Sequence, residues 1–570
     1  MLEMNQTAVA RYEAWLADPS IDAATKEELA ALRGNDKEIE DRFYRELEFG
    51  TGGLRGVMGA GTNRLNVYTV GKATQGLANW TLTQSSSPSV VIAHDSRNNS
   101  PEFALDAALV LAANGVTAYL FQGLRPTPQL SFAVRALKAT SGVVITASHN
   151  PPEYNGYKAY GSDGCQLVPA DAEQVIGAIQ AVTGFDQVKR ISRGEAEAKG
   201  LLRWLGDAED QDYVQTVAAQ SLNRELLQNG LGEALTVVYT PLHGAGNMPV
   251  RNVLAAAGLS NVRIVKEQEQ PDGYFSTVKS PNPEEREAFT LAIKLGQEIG
   301  ADLIIGTDPD CDRMGAVVRN NEGEFVVLSG NQSGAIMVNY LLGTLKERGQ
   351  LPANGAVIKT IVTSEMGADI AKSYGAAVIN TLTGFKYIGE QMTKFEHSGE
   401  HAFLFGYEES YGYLAGTYAR DKDAVVASLL ISEAAAYYKS QGKTLYDVLL
   451  ELYAKFGYYL EGLESRTLKG VDGVQKIAGI MDDWRGNPPA EVAGVRVKQV
   501  LDYLPGIDGL PAENVLKYLL EDGSWFCLRP SGTEPKIKVY FAVRGQSLNH
   551  SQDAIKALTE TVMARVDSKA

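Results

Sequence analysis

Cysteine is scarce in this chain: three in 570 residues, Cys165, Cys311 and Cys527, far apart and with no C-x-x-C spacing. That excludes a disulfide framework and a zinc site, and it fits a reducing compartment, so a cytoplasmic protein is expected. No uninterrupted apolar run approaches membrane-spanning length, so no membrane partner is expected. The opening segment, MLEMNQTAVARYEAWLADPS, lacks a basic stretch followed by an apolar one and reads as a surface helix. Positive charge is also in short supply. With 53 Lys and Arg against 69 Asp and Glu, the formal net charge is −16, which argues against nucleic acid or an anionic membrane as the main partner. A locally basic cleft for a phosphorylated ligand remains compatible with that balance. Low-complexity tracts and short-period repeats are absent.

What is present is an ordinary globular composition, 44% hydrophobic and 21% charged, enough for several cores. The length predicts roughly three to five domains. Strand-like and helix-like stretches alternate: SVVIAHDS, then SPEFALDAALVLAANG with Ser100 as helix N-cap, then VTAYLF and GVVITAS. The alternation returns at LTVVYTP, NMPVRNVLAAAG, VRIV and ADLIIGTD, and again at AVIKTIVTS, MGADIAKSYG and AAVINTLT. Such a pattern predicts α/β domains with right-handed crossovers and mostly parallel sheets. The C-terminal segment GSWFCLRPSGTEPKIKVYFAVRG predicts two strands around a turn, followed by an amphipathic helix, which is an α+β pattern. The expected domains are residues 1–206, 207–328, 329–457 and 458–570.

Ligands of open α/β sheets bind beyond the carboxyl ends of strands, so the chemistry is expected in loops that follow strands. In TASHNPPEYNGYKAY, Ser148 ends an apolar strand and a double proline blocks any helix after it. Ser148 reads there as a nucleophile or phosphate carrier, with His149 and Lys158 as donors, and equally as a capping serine in a turn. In ADLIIGTDPDCDRMG, a strand delivers Asp308, Asp310 and Asp312 at alternating positions, a hard-oxygen set suited to Mg²⁺. An EF-hand loop is excluded, because its glycine and glutamate positions hold Arg313 and Arg319. An aspartyl-phosphate hydrolase and a solvated acidic turn are the competing readings. In FLFGYEESYGYLAGTYARDKDAV, Glu408 and Ser410 are spaced to hold a polyol, although a solvated loop fits as well. In CLRPSGTEPKIKVY, Arg529, Ser531, Gly532 and Thr533 can nest an anion, or form a plain hairpin turn. Arg55, Arg97, Lys158, Arg313, Lys422 and Arg529 all fall in such turns of an acidic chain, the footprint of a phosphorylated ligand.

TASHNPPEYNGYKAY, TDPDCDR, GYEESYG and RPSGTEPK occur in the order and spacing of the α-D-phosphohexomutase superfamily. FGTGGLRG and GYEESYGY…ARDKDA resemble its phosphoglucomutase branch, and the likeness runs from about Glu48 to Tyr540. It implies a heart-shaped protein of three α/β domains with mixed sheets and a C-terminal α+β domain. It also implies interconversion of glucose 1-phosphate and glucose 6-phosphate through phosphoserine at Ser148 and a glucose 1,6-bisphosphate intermediate. Mg²⁺ would lie between that phosphate and Asp308, Asp310 and Asp312. Lys158 would move the proton with help from His149. Arg55, Arg97, Arg313, Thr383, Gly384, Glu408, Ser410, Lys422, Arg529, Ser531, Gly532 and Thr533 would bind the sugar phosphate.

Tyr411-Gly412-Tyr413 stand where dual-specificity members often carry histidine, which weakens dual glucose–mannose specificity. Lys538 stands where arginine is common. His243, in TPLHGAGN, is expected to be structural. Phosphopentomutase and phosphomannomutase remain alternatives on the same scaffold. From other classes, the alternatives are an aspartyl-phosphate sugar phosphatase using Asp308 and a non-catalytic sugar-phosphate-binding protein. A monomer is expected, with a dimer as the alternative.

Overall fold

The computed structural model describes residues 6–50, 52–468, 471–531 and 535–569. They divide into two compact units, Met1–Ser333 with Phe385–Thr444, and Gly334–Gly384 with Leu445–Ala570. Among the described residues no helix is long and apolar enough to cross a membrane.

The first unit opens with helices Gln6–Ala17, Ala23–Ala31 and Asp36–Phe43. The first is more than a surface helix: Ala8, Tyr12 and Trp15 are buried, and Tyr12 and Trp15 pack edge-on against Phe43 at 5.7 Å. Strands β1 (Gly53–Val57), β2 (Ser89–His94), β3 (Thr117–Phe121), β4 (Ser141–Ile145), β5 (Tyr154–Tyr160) and β6 (Leu202–Leu205) form one sheet in the order β1-β5-β4-β2-β3-β6. Its central strands are apolar at nearly every position because helices cover both faces. Val90 and Ile92 join one core cluster, Val91 and Ala93 the other. A second sheet holds β7 (Val237–Thr240), β8 (Val262–Ile264), β9 (Leu303–Thr307), β10 (Met314–Arg319) and β11 (Phe325–Val327) in the order β11-β10-β9-β7-β8.

Both sheets are mixed, where alternation alone implied mostly parallel pairing. β2 runs parallel to β3 and β4, but β5 is antiparallel to β4 and β1. Likewise β7 and β9 are parallel while β10 is antiparallel to β9. The cause is loop length. The connections 146–153 and 308–313 are shorter than the roughly dozen residues a parallel crossover needs, so the chain turns straight back.

β12 (Gly355–Thr360) and β13 (Ala377–Thr381) form a parallel pair in the second unit, linked through helix Glu365–Ser373. β14 (Ala402–Tyr407) and β15 (Tyr413–Ala415) are an antiparallel pair of the first unit. The second unit continues with an antiparallel sheet of β16 (Tyr458–Thr467), β17 (Glu491–Val492), β18 (Val495–Asp502), β19 (Leu516–Leu520), β20 (Trp525–Pro530) and β21 (Lys536–Gly545). Helices Val471–Gly486 and Leu548–Asp567 complete it. Its core centres on Tyr518 stacked on Phe526 at 4.6 Å, with Trp484 edge-on to both at 5.4 Å. The expected cap at Ser100 is not found. Asn99, at φ 63°, precedes the helix without a side-chain cap, and the Ser100 hydroxyl donates instead to Asp95 Oδ1 at 2.8 Å.

One half-buried acid gives this unit a pH signature. Burial raises the Glu461 carboxyl from 4.5 to about 7, against a hydrogen bond with Ser364 that lowers it, and its Oε1 has no hydrogen-bond partner. Below pH 4.5 folded and unfolded chains both carry the proton; between there and pH 7 only the unfolded chain ionises, so stability is lost as pH rises. Urea denaturation should find Glu461→Gln more stable than the unsubstituted protein above pH 7, by on the order of 1 kcal/mol, and the two equal near pH 4.

Candidate active site

The loop between β4 and β5 is the tip of a hairpin rather than the start of a helix. Thr146 N still donates to Gly156 O at 3.0 Å, and the chain then turns at Ala147–Asn150 before Pro151-Pro152. Ser148 is 4% exposed and sits at φ 52°, a left-handed conformation that costs a non-glycine residue about 1–2 kcal/mol. Lys158 returns on β5 opposite Val144. Arg55, on β1 opposite Gly156, donates to Asn150 Oδ1 at 3.1 Å. Arg97, expected to reach a ligand, is instead 1% exposed, and its guanidinium donates to backbone carbonyls of the serine loop, including Ser148 O at 2.6 Å. Its role at the site is therefore to hold that loop.

β9, buried at all five positions, delivers the acidic turn. Asp308, Asp310 and Asp312 are each at most 1% exposed, and one oxygen of each lies within 4.8 Å of the others. Asp308 Oδ2 accepts from Ser148 Oγ at 2.7 Å, and its Oδ1 accepts from the backbone of Asp312 and Arg313 at 3.1 and 3.0 Å. Asp310 Oδ2 accepts from Lys158 Nζ and from Thr127 Oγ1, both at 2.9 Å. Asp312 Oδ2 pairs with Lys422 Nζ at 3.3 Å and with Lys158 Nζ at 3.4 Å. Asp310 Oδ1 and Asp312 Oδ1 are buried without hydrogen-bond partners, and that is what a set of hard-oxygen metal ligands requires. Cys311 between them is fully buried against Gly246 and acts as filler.

The third loop is again a hairpin tip, between β14 and β15. Glu408 N donates to Gly412 O at 2.9 Å, and Tyr411 sits at φ 65°. Arg313 pairs with Gly412 in a backbone bridge, and its guanidinium donates to Ser410 O at 2.9 Å and to Glu284 at 3.0 Å. Glu408 is buried. A Cβ on Gly412 would come within 2.2 Å of the Lys422 side chain, so only glycine lets that lysine reach Asp312. Asp421 accepts from Tyr160 OH at 2.8 Å and lies 3.3 Å from Lys422 Nζ.

Charge balance sets the protonation states. Burial, then Asp310 and Asp312, push the Asp308 carboxyl well above the usual carboxylate range. Burial also works to raise Asp310, but Lys158 outweighs it and holds that carboxyl low. For Lys158 and Lys422 burial disfavours charge, yet the neighbouring aspartates keep both ammonium groups protonated. His149 lies 3.3 Å from Ser148 Oγ; burial, Arg313 and Arg55 depress it to about 3, so the imidazole is neutral at physiological pH.

Ser148, His149, Lys158, the three aspartates, Arg313 and Lys422 thus come together in the first unit. Thr383, Gly384, Arg529 and Ser531 belong to the second. There Thr383 Oγ1 is buried without a partner, Gly384 sits at φ 120°, and Arg529 Nε donates to Glu513 at 3.1 Å at the end of β20. Gly532 and Thr533 lie outside the described residues. His243 bonds Gln270 O through Nδ1 at 3.0 Å and Thr277 Oγ1 through Nε2 at 2.9 Å. Sequence reasoning missed Thr127, Asp95, Glu284 and Asp421. Asp95 and Thr127 follow β2 and β3, so strand ends were the available signal.

The chain matches the family described as phosphoglucomutase/phosphomannomutase in four segments. Alpha/beta/alpha domains I, II and III match residues 46–184, 211–323 and 329–456, and the C-terminal domain matches 472–555. The phosphoglucomutase of Staphylococcus haemolyticus is 38% identical over 530 residues, 90% of this chain and 93% of that protein. Among solved structures, a putative phosphomannomutase from Thermus thermophilus is 25% identical with a TM-score of 0.68, over 92% of this chain and 99% of that one. The open form of the Paramecium phosphoprotein pp63/parafusin, a phosphoglucomutase, shares the fold with a TM-score of 0.71 at 19% identity, over 92% and 96%.

Ser148→Ala and Ser148→Gly should both abolish turnover while leaving the fold intact. Because the position is left-handed, thermal denaturation should find the glycine variant the more stable of the two by about 1 kcal/mol.

Proposed function

The chain belongs to the phosphoglucomutase/phosphomannomutase family, and from that membership and the site geometry we propose that it interconverts α-D-glucose 1-phosphate and glucose 6-phosphate. The observation that carries the reading is the Ser148 hydroxyl 2.7 Å from Asp308, beside aspartates with two oxygens that lack hydrogen-bond partners and two lysines whose side chains are only 12% exposed. Phosphorylated Ser148 gives its phosphoryl group to the free hydroxyl of the bound sugar phosphate. The Ser148 Oγ–P bond breaks, a sugar O–P bond forms, and the hydroxyl proton leaves to a nearby base. The resulting glucose 1,6-bisphosphate turns over and returns its other phosphoryl group to Ser148.

Phosphoryl transfer asks the protein chiefly to align donor and acceptor and to balance charge on the transferred oxygens. Lys158, kept charged by Asp310 and Asp312, faces that charge and returns a proton to the leaving oxygen. Neutral His149 lies beside Ser148 Oγ and supports its placement. Asp308, Asp310 and Asp312 would hold Mg²⁺, which supplies positive charge to the phosphoryl oxygens when bound. Arg313, Arg55 and Lys422 add cationic groups on the same side. Glu408 and Ser410 read the sugar hydroxyls. Within the second unit, Thr383, Gly384, Arg529 and Ser531 are the candidate sugar-phosphate ligands, and Gly532 and Thr533 lie outside the described residues. Arg97 is left out of this set, because its guanidinium is committed to the serine loop.

The ligand is a small sugar phosphate rather than a nucleic acid. The three cysteines, all buried and none in a disulfide, support a reducing, cytoplasmic setting. Phosphopeptide mass spectrometry of the purified protein should place phosphate on Ser148; phosphate on Asp308 alone would point to a hydrolase instead. Turnover with Mg²⁺ and a trace of glucose 1,6-bisphosphate should favour glucose 1-phosphate over mannose and ribose 1-phosphates. Preference for either of the others would reassign the sugar and leave the mechanism standing.

A further inference from the structure

The residues that hold Ser148 in its left-handed conformation form one continuous network, rooted at the turn after β2. Asp95, 1% exposed, accepts from Thr146 Oγ1 at 2.6 Å through Oδ2 and from Ser100 Oγ at 2.8 Å through Oδ1. Thr146 Oγ1, having given its proton to Asp95, accepts in turn from the backbone N–H of Ser148 at 2.8 Å. Asp95 Oδ2 also lies 3.4 Å from Arg97 Nε. Arg97 Nη2 donates to the carbonyls of Ser148 and Asn150, and its Nη1 to those of Pro151 and Tyr154 at 2.8 and 2.9 Å. Thus both backbone polar groups of Ser148 are tied to one carboxylate, the N–H through a threonine and the C=O through an arginine.

The outer side of the arginine is closed as well. The Phe275 ring lies 5.1 Å from the Arg97 guanidinium, and Phe275 is itself 1% exposed at φ 50°. His243 supports that segment from behind through Gln270 O and Thr277 Oγ1. Gly273 packs against Asn98, where a Cβ would come within 2.6 Å of the backbone nitrogen. None of Asp95, Thr146, Arg97 or Phe275 donates to the aspartate triad, so the network acts on Ser148 through its peptide groups.

Resting on the proposed role of Ser148 as the phosphoryl carrier, we propose that Asp95, Thr146 and Arg97 are positioning residues. They clamp the Ser148 peptide groups in the strained conformation that aims Oγ at Asp308, and so set the rate of phosphoryl transfer without setting affinity for the sugar phosphate. Released from the clamp, Ser148 relaxes towards ordinary backbone angles and its Oγ leaves the 2.7 Å contact.

Thr146→Val keeps the shape but removes both hydrogen bonds, Thr146→Ser keeps them, and Arg97→Lys keeps the charge but cannot span four carbonyls. Steady-state kinetics should show kcat lowered by about 100-fold in Thr146→Val and Arg97→Lys, with KM within about 3-fold of wild type, the size expected for an ångström-scale misplacement. Thr146→Ser should recover kcat to within about 3-fold on the same scale. The rate at which glucose 1,6-bisphosphate phosphorylates Ser148 should fall in parallel. A crystal structure of Thr146→Val should show Ser148 outside the left-handed region. Wild-type kcat in Thr146→Val, equal impairment of the valine and serine variants, or a loss shared by sugar-phosphate binding and melting temperature would each overturn the clamp. If the wild-type protein carries no phosphate on Ser148, the carrier assignment and the clamp both fall. If wild type and Thr146→Val phosphorylate Ser148 at the same rate, only the clamp falls.

Discussion

Mutual repulsion among Asp308, Asp310 and Asp312 is the constraint around which the first unit is arranged. Two unit charges 4.8 Å apart repel by about 3 kcal/mol at the effective dielectric typical of proteins, and the three carboxylates present three such pairs. Burial removes the water that would screen them. The unit answers with Lys158 from β5, Lys422 from the segment after β15, the Ser148 hydroxyl and two backbone N–H groups. Two carboxylate oxygens are still left over. The cluster could therefore hold one more cation, which would join its stability to its chemistry.

Delivering those groups to one point takes strands that reverse abruptly. The serine, aspartate and Glu408 loops are all hairpin tips, and each carries a non-glycine residue at positive φ: Ser148, Cys311 and Tyr411 at 52°, 54° and 65°. Strain of this kind persists only where the surroundings over-determine it. Around Ser148 the surroundings are Asp95, Thr146 and Arg97. Around Cys311 they are Gly246 and the carboxylate hydrogen bonds to the turn. Around Tyr411 they are the bridge from Arg313 to Gly412 and the bond from Met314 N. The tight turns that carry the chemistry also make the sheets mixed.

Much of this was legible in the letters. Apolar runs such as Val143–Ile145 and Leu303–Ile305 announced buried strands, because a strand covered on both faces has no polar position to alternate with. The residues after them announced the site, since serine, aspartate and arginine at a strand end serve no packing purpose. Other features were not legible. Arg97 looks in sequence like any ligand-binding arginine after a strand. Only the fold shows its guanidinium turned inward to four carbonyls, because those carbonyls arrive from residues 148–154, on a different strand and its loop. Ser100 looked like a helix cap, but Asp95, five residues earlier, competes for its hydroxyl.

The sequence by itself determined the elements, the order of the four chemical loops and the residue types that a phosphoryl site needs. These follow from local rules: hydrophobic periodicity, turn residues and the hard-oxygen character of carboxylates. Tertiary structure decided the pairings, because a contact between residues 160 positions apart, such as Ser148 with Asp308, is set by sheet order and not by any local preference. It likewise decided which cations stay charged, since burial and neighbours shift those equilibria and neither can be read along a chain. The same kinds of residue, Arg and Lys, became loop support at Arg97 and charge balance at Lys158 and Lys422. The difference is only what the fold placed within three or four ångströms of each.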